Sequence, residues 1–588
     1  MSLYDYAVIG FYLVFMLALG PIYKSFSKTA SDFFRGGGGM LWWVVGSSAF
    51  MTTFSAWSFT GGAAKAYETG TFFLVLFASN VVGLIFCYFF AAHRFRQMRV
   101  ITAVEGIRKR YGAASEQVYT WLPILTYCFL GGVFLYTISV FMAGVFNISM
   151  TMVIIGLGVV VVGMTLLGGS WAATAGDFVQ MLIVLTITLM MALLTLKHEQ
   201  IGGLKGLIDK MPSCHFKWTE FARPWVLIVF IVTLVINQIT MLNSMMTGAA
   251  RYLFVKDGRD AKKAVLVSMA GFLLLAPVWM IPALGSAVIF TDLESRYPQL
   301  NNPNEGAYVA IAMELLPQGL LGLLVCGIFA ASLTSMNSLL NLYSGTFVRN
   351  FYIRMVDPMA SELKQIFVGR VFILIYGLIW IVIAMFFKNI KELELFDLLL
   401  LTIASIGLPT ALPLTYGLFI KRTPEWTGWS TMLAGFVVSV VAKKMLTDTF
   451  LQSIWGQVEP LTKREIGDLR IGLTTGGIFL ACNLWFFFSM LFYKRSKPEY
   501  RKRVDDFFVE INTPIDRSAE HELDYEGDSR QYGVLSNLCF VYGLFILLLL
   551  AIPNDFHARM LILICGGLVV MIGAILRVAK NRTVAKNV

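Results

Sequence analysis

Met51-Thr-Thr-Phe-Ser-Ala-Trp-Ser-Phe-Thr-Gly-Gly62 lies in an otherwise apolar run yet packs hydroxyl side chains and a glycine pair into its middle. A second stretch of the same character, Asn237-Gln-Ile-Thr-Met-Leu-Asn-Ser-Met-Met-Thr-Gly248, occurs five apolar segments later. Small and hydroxyl residues can simply let two membrane helices approach closely. Paired interruptions in corresponding places of two halves point instead to a binding site. There the unwound backbone offers carbonyls and amides to a polar ligand, which is tolerated only inside protein or beside water. Each stretch alone leaves both readings open; the pair favours a site.

The surroundings make membrane depth the right setting. Hydrophobic residues form 57% of the 588 and charged residues only 14%, too little charge for a water-soluble surface. Runs such as 7–23, 72–92, 319–343 and 534–552 each supply the roughly 20 helical residues that cross about 30 Å of hydrocarbon. The expected fold class is an all-α integral membrane protein, since strands would need an edgeless barrel of alternating polarity. Fifteen spans are expected: 6–23, 41–64, 71–92, 117–146, 151–168, 177–196, 224–243, 264–290, 319–345, 371–387, 395–420, 427–442, 471–493, 534–552 and 560–576. The first has no basic start and no small-residue cleavage site, so it reads as a retained helix.

An odd count puts the termini on opposite sides. Most of the 47 Lys and Arg fall in the connections on the side of residues 24–40, among them Arg94, Arg96, Arg99, Arg108, Lys109 and Arg110. By the positive-inside rule the amino terminus is outside and the carboxyl terminus cytoplasmic, in a multi-pass plasma (inner) membrane protein. The net charge of +11 then reflects topology and contact with the lipid bilayer, and no nucleic-acid partner is expected.

Several functions are disfavoured. No GxxxxGK[ST] nucleotide loop occurs, so ATP-driven transport by this chain alone is not expected. The five histidines lie between spans and no CxxC pair is present, leaving no metal centre or disulfide framework. A membrane-embedded enzyme would need clustered acids or a nucleophile with a base; the spans hold only Asp177 and Asp397. An intramembrane carboxylate is a functional candidate, but Asp177 follows Gly168–Gly176 and is equally placed to cap a helix. Asp397 lies near a span end, where solvation is available.

The sequence resembles the sodium:solute symporter family over roughly residues 1–490. The resemblance rests on Ser31-Asp-Phe-Phe-Arg-Gly-Gly37 followed by Trp42-Trp43, on Thr165-Leu-Leu-Gly-Gly169 with Asp177-Phe-Val-Gln180, and on Arg251-Tyr-Leu-Phe-Val-Lys-Asp257. Ala330-Ala-Ser-Leu-Thr-Ser335 and Gly407-Leu-Pro409 running to Lys421-Arg422 complete it. What it implies is a leucine-transporter-type fold with two inverted five-helix repeats, at 41–196 and 224–421. An N-terminal span and loop (1–40) would precede them and an extracellular loop (197–223) would join them. Two further spans (422–493), a cytoplasmic loop (494–533) and the last two spans with a tail (534–588) would follow, giving four C-terminal helices.

The resemblance also implies a sodium site. Its ligands would be the carbonyls of Met51, Phe54 and Ile328 with the hydroxyl of Ser332, supported by Asp177. Ala331 stands where family members carry a second hydroxyl, which Ser335 or water would have to replace. Read by itself, Ser332 is a hydroxyl bonded back to Ile328 one turn earlier. The positions that contact sugar in sugar-carrying members are here Phe77, Met245 and Thr247, so that mode is not copied. Candidate solute contacts are Thr52, Thr53, Trp57, Ser58, Asn80, Asn243 and Ser244. No Lys or Arg lies within a span, so a carboxylate solute would lack a buried cationic partner other than sodium. The function expected is sodium-coupled import of a small organic solute by alternating access, with no covalent chemistry and no cofactor beyond the ion. A sensor on the same fold, expected to carry a long cytoplasmic kinase extension, and a passive channel are the alternatives.

Overall fold

The computed structural model describes residues 1–54, 56–146, 148–217, 222–246, 248–290, 292–297, 302–388, 395–456, 459–515 and 525–585. Among these the chain is helices and turns, apart from one isolated backbone bridge between Met40 and Val255. Eleven helices are long and apolar enough to cross a membrane, or twelve if the pair Thr427–Met445 and Asp448–Trp455, bent by 79°, is one span.

Three differences separate the count of twelve from fifteen. The 41–64 segment is not one helix: α2 (Trp42–Thr53) stops, Phe54 turns out at φ −89° and ψ 84°, and α3 (Gly61–Thr69) starts anew. The 151–168 and 177–196 segments share one helical stretch, interrupted only at Gly169 (φ 54°, ψ −142°). A left-handed φ suits glycine; hydropathy falls at Gly168-Gly169, but the helix resumes on the far side. The side chains of residues 395–405 lie outside the described residues, so that span goes uncounted.

Along the chain, α1 is Leu3–Lys24, α4 Leu74–Phe86, α5 Ala113–Phe146, α6 the 48-residue Met150–Lys197, and α7 Pro224–Leu242. After α7 the chain again leaves helical geometry at Asn243, resumes briefly as α8 (Ala249–Tyr252), and continues into α9 (Gly258–Ala270). α10 (Leu320–Phe347) sits at the centre: 94% of its most apolar stretch is buried, against 22–50% for the other spans. It packs on α6, on α1, on α2 and on the 56–59 turn beyond the first break. Its N-terminal end is anchored by Asp5, whose carboxylate accepts from the amides of Gly319 and Gly322, both at 2.9 Å. An acid at a helix start satisfies orphan amides and favours the dipole.

α2 in turn lies tight on α9. The Ser268 hydroxyl donates to the Gly46 carbonyl at 2.8 Å, an approach that a small residue at 46 permits. At the end carrying the Lys- and Arg-rich connections, the Met40 amide donates to Phe254 O (3.0 Å) and Arg96 Nε to Val255 O (2.6 Å). The chain segments feeding α2 and leaving α8 are thus knitted together at this basic end.

Candidate functional site

The two breaks, the middle of α10 and the inner face of α5 surround a cavity of about 630 Å³, the size of a small-solute site. Trp57, Thr60 and Glu305 stand at one end; Phe34, Ile101 and Phe254 belong to the connections of the basic end. Ser332, Ser335, Ser338, Asn341, Leu342 and Gly345 line it along one face of α10. The thirteen steps of 1.5 Å from Ser332 to Gly345 make that wall about 20 Å long, so the cavity is a channel-like recess running from the first break toward the basic end.

At the inner end of the recess the chemistry suits a cation. α2 ends at Thr53, and the Phe54 amide donates to the Phe50 carbonyl at 2.9 Å. The last carbonyls of a helix lack intrahelical donors and carry the negative end of its dipole. Met51, Phe54 and Ile328 are buried, and the Ser332 hydroxyl reaches back to Ile328 O at 3.3 Å while also lining the cavity. Ala331 is fully buried. Ser335 Oγ, one turn on from Ser332, is buried with no hydrogen-bond partner and lines the same wall.

The solute candidates separate. Thr52 and Trp57 line the cavity. Ser58, Asn80, Asn243 and Ser244 are not on its wall. Ser58 is buried, and Asn80 Nδ2 turns back on Leu76 O at 2.9 Å. Asn243 Nδ2 donates to Gly83 O and Ile239 O, and Ser244 Oγ accepts from the Met246 amide within the second break. The side chains of Thr53 and Asp397, and Thr247 altogether, lie outside the described residues. Phe77 is packed among Phe73 and Trp279, and Met245 is fully buried.

Asn237 and Gln238, one turn before the second break, line the cavity instead, as do Thr137 of α5 and Thr174 of α6. The polar opening of the 237–248 stretch was the signal for the first two; nothing in the sequence tells which face of α5 or α6 points inward.

Arg251 corrects the expectation that no buried cation is available. By sequence it belongs to a basic connection, but after the second break α8 turns it inward, and its side chain is only 11% exposed. Nη1 donates to Ser48 Oγ at 2.7 Å and lies 3.5 Å from Asp177 Oδ2. Nη2 donates to Thr52 Oγ1 at 2.5 Å and to Ser338 Oγ. Asp177 itself is fully buried and accepts from the Ser48 hydroxyl. It sits eight residues past the Gly169 kink inside continuous helix, so the helix-cap reading loses its basis.

Comparison with known proteins gives a consistent set. The sequence pattern that defines the sodium:solute symporter family matches residues 33–435. The sodium/sialic acid symporter of Proteus mirabilis is 26% identical over 451 residues, covering 74% of this chain and 88% of that one. The human sodium/myo-inositol cotransporter 2 is 27% identical over 485 residues, covering 74% and 69%. In three dimensions the chain is similar to a substrate-bound, outward-open Na+-coupled sialic acid symporter, with a TM-score of 0.65 at 19% identity over 84% of this chain and 99% of that one.

Proposed function

We infer that this chain, which belongs to the sodium:solute symporter family, carries a small polar organic solute into the cell together with sodium by alternating access. Sodium is the coupling ion of that family, and the relatives named above are transporters of solutes rather than enzymes. The observation that carries the reading is the position of the recess. It begins where the first broken helix meets Ser332 and runs about 20 Å toward the basic end. With the basic end cytoplasmic, as the Lys and Arg bias directs, this is the inward-facing arrangement of a plasma membrane importer, with the amino terminus outside.

In this reading the repeats are 41–196 and 224–421, and fifteen segments cross. The sodium site is formed by the carbonyls of Met51, Phe54 and Ile328 with Ser332, and Ser335 supplies the oxygen that Ala331 lacks. Asp177 sets the charge beside it. The solute lies against Thr52, Trp57, Asn237 and Gln238, where amide and hydroxyl groups offer both donors and acceptors and the indole a flat apolar face. A thermal-shift screen of the purified protein against sugars, amino acids and carboxylates, each with and without sodium, tests it. The expected result is a solute whose stabilisation requires sodium; stabilisation by solutes regardless of sodium would contradict coupling.

A further inference from the structure

Just past α11 (Lys463–Met490), at the end of the molecule that carries the basic connections, the chain makes a short turn, Tyr493–Arg495, and enters α12 (Pro498–Asn512). α12 buries one face: Tyr500, Val504, Phe507 and Ile511 recur at helical spacing. That face is fastened to two of the basic connections. The Tyr500 hydroxyl donates to Thr423 O at 2.8 Å and accepts from Arg110 at 2.9 Å, and Lys109 Nζ donates to Glu510 at 2.7 Å. What is left outward is mostly positive charge. Residues 421–426 and 493–506 together hold eight Lys and Arg but only four acids. Two of those acids are spent in ion pairs, Asp505 with Lys421 at 2.7 Å and Glu425 with Arg503 at 2.9 Å. Among the described residues, Arg422, Lys494, Arg495, Lys497, Arg501 and Lys502 pair with no acid, and Arg501 Nε is buried without a hydrogen-bond partner. The surroundings are those of a bilayer interface. Trp426 packs against Trp485 and Phe492 with ring centroids 6.3 and 6.0 Å apart, and the Arg495 guanidinium stands 5.6 Å over the Phe492 ring. Phe488 and Leu491, at the end of α11, are exposed. Aromatic rings and cations gathered at a span end mark the level of the lipid headgroups.

We propose that this patch binds the phosphate headgroup of an anionic phospholipid, whose acyl chains lie along α11 beside Phe488 and Leu491. Clustered Lys and Arg immediately beyond a span are attracted to anionic lipid of the cytoplasmic leaflet, and here the span itself holds them at headgroup level. A soluble phosphate carries no apolar part to seat against the exposed end of α11, so the lipid is the occupant that fits both halves of the site. Bound there, the headgroup supplies the negative charge that the six cations lack. It also holds α12 down on the connections of Arg110 and Thr423, so lipid binding stabilises the fold. The proposal is independent of the ion and of the solute.

The test follows the melting temperature of the lipid-stripped full chain in detergent as dioleoylphosphatidylglycerol is titrated in, with dioleoylphosphatidylcholine and soluble glycerol 1-phosphate as separate arms. The native protein should be stabilised by the phosphatidylglycerol alone. Each cation near the surface is worth roughly fivefold in affinity for anionic lipid. Lys494→Gln combined with Lys497→Gln should therefore need roughly 25-fold more phosphatidylglycerol for half the shift. Lys24→Gln combined with Lys28→Gln removes two exposed cations elsewhere at the same end and should titrate like the native chain. A Lys494→Gln, Lys497→Gln curve that overlays the native one overturns the proposal, as does an equal loss in the Lys24→Gln, Lys28→Gln protein. Equal stabilisation by phosphatidylcholine or by glycerol 1-phosphate, or none by phosphatidylglycerol, overturns it too. Should the first double variant not fold, Arg422→Gln alone carries the test: a shift of roughly fivefold supports the site, and an unshifted curve overturns it.

Discussion

Ser332 Oγ lies 3.3 Å from the carbonyl oxygen of Ile328, so a hydroxyl and a carbonyl stand together on one turn of α10, the helix that packs on α2. Ser332→Ala removes one of few oxygens available to sodium. A contact to a charged group contributes about 1.5–3 kcal/mol net, so half-maximal sodium for uptake should rise by roughly tenfold or more, while solute affinity at saturating sodium stays nearly unchanged. Ala331→Ser, restoring the hydroxyl usual in the family, should lower half-maximal sodium. Uptake measured across a sodium series in both variants decides it; an Ala331→Ser curve identical to the native one would mean that position 331 does not face the ion.

Asp177→Asn keeps shape and hydrogen-bonding atoms but leaves Arg251 buried without a counter-charge. Breaking a buried pair by neutralising one partner is costly, about 3–5 kcal/mol in measured cases. Uptake should fall sharply, with partial recovery at high sodium, because an uncompensated guanidinium repels the ion. Sodium dependence unchanged from the native protein would remove Asp177 from any role in coupling.

Asp5 anchors the start of α10 through Gly319 and Gly322, and its other oxygen accepts from Ser2 at the start of α1. Asp5→Ala leaves those amides without their acceptor and should destabilise the protein by about 1–2 kcal/mol, the usual cost of a lost helix cap. The melting temperature in detergent should drop, while the sodium dependence of uptake below that temperature should not move.

Cys214 lies in the short helical turn Ser213–His215 and is partly exposed, whereas five of the other six cysteines are buried. An impermeant thiol reagent should label it in intact cells if the Lys- and Arg-rich end is cytoplasmic. Labelling only after permeabilisation would reverse the orientation.

The membrane class and the two breaks were legible because both are one-dimensional signals: long uncharged runs, and clusters of hydroxyl and glycine residues where apolar ones would continue a span. The cavity wall was only half legible. Thr52 and Trp57 sit on it, but Asn243 and Ser244, equally polar and equally close to a break, spend their hydrogen bonds on backbone. Which face of a helix turns inward is set by its neighbours, and residue type does not carry it. Arg251 was misread for a related reason: a charge counted as loop by hydropathy is folded back by the short α8 to a carboxylate 74 residues away. Asp177, left open between cap and counter-charge by sequence, loses the cap reading because the helix runs on through it from the Gly169 kink, and its charged neighbour is Arg251.

Sodium coupling itself is tested most directly in proteoliposomes containing only this protein, given the solute found in the thermal-shift screen and an inward sodium gradient. The account predicts transient accumulation of solute above the outside concentration, abolished by a sodium ionophore and absent when the gradient is of potassium or protons. Solute that merely equilibrates, at a rate indifferent to the sodium gradient, would show a passive channel and contradict the account.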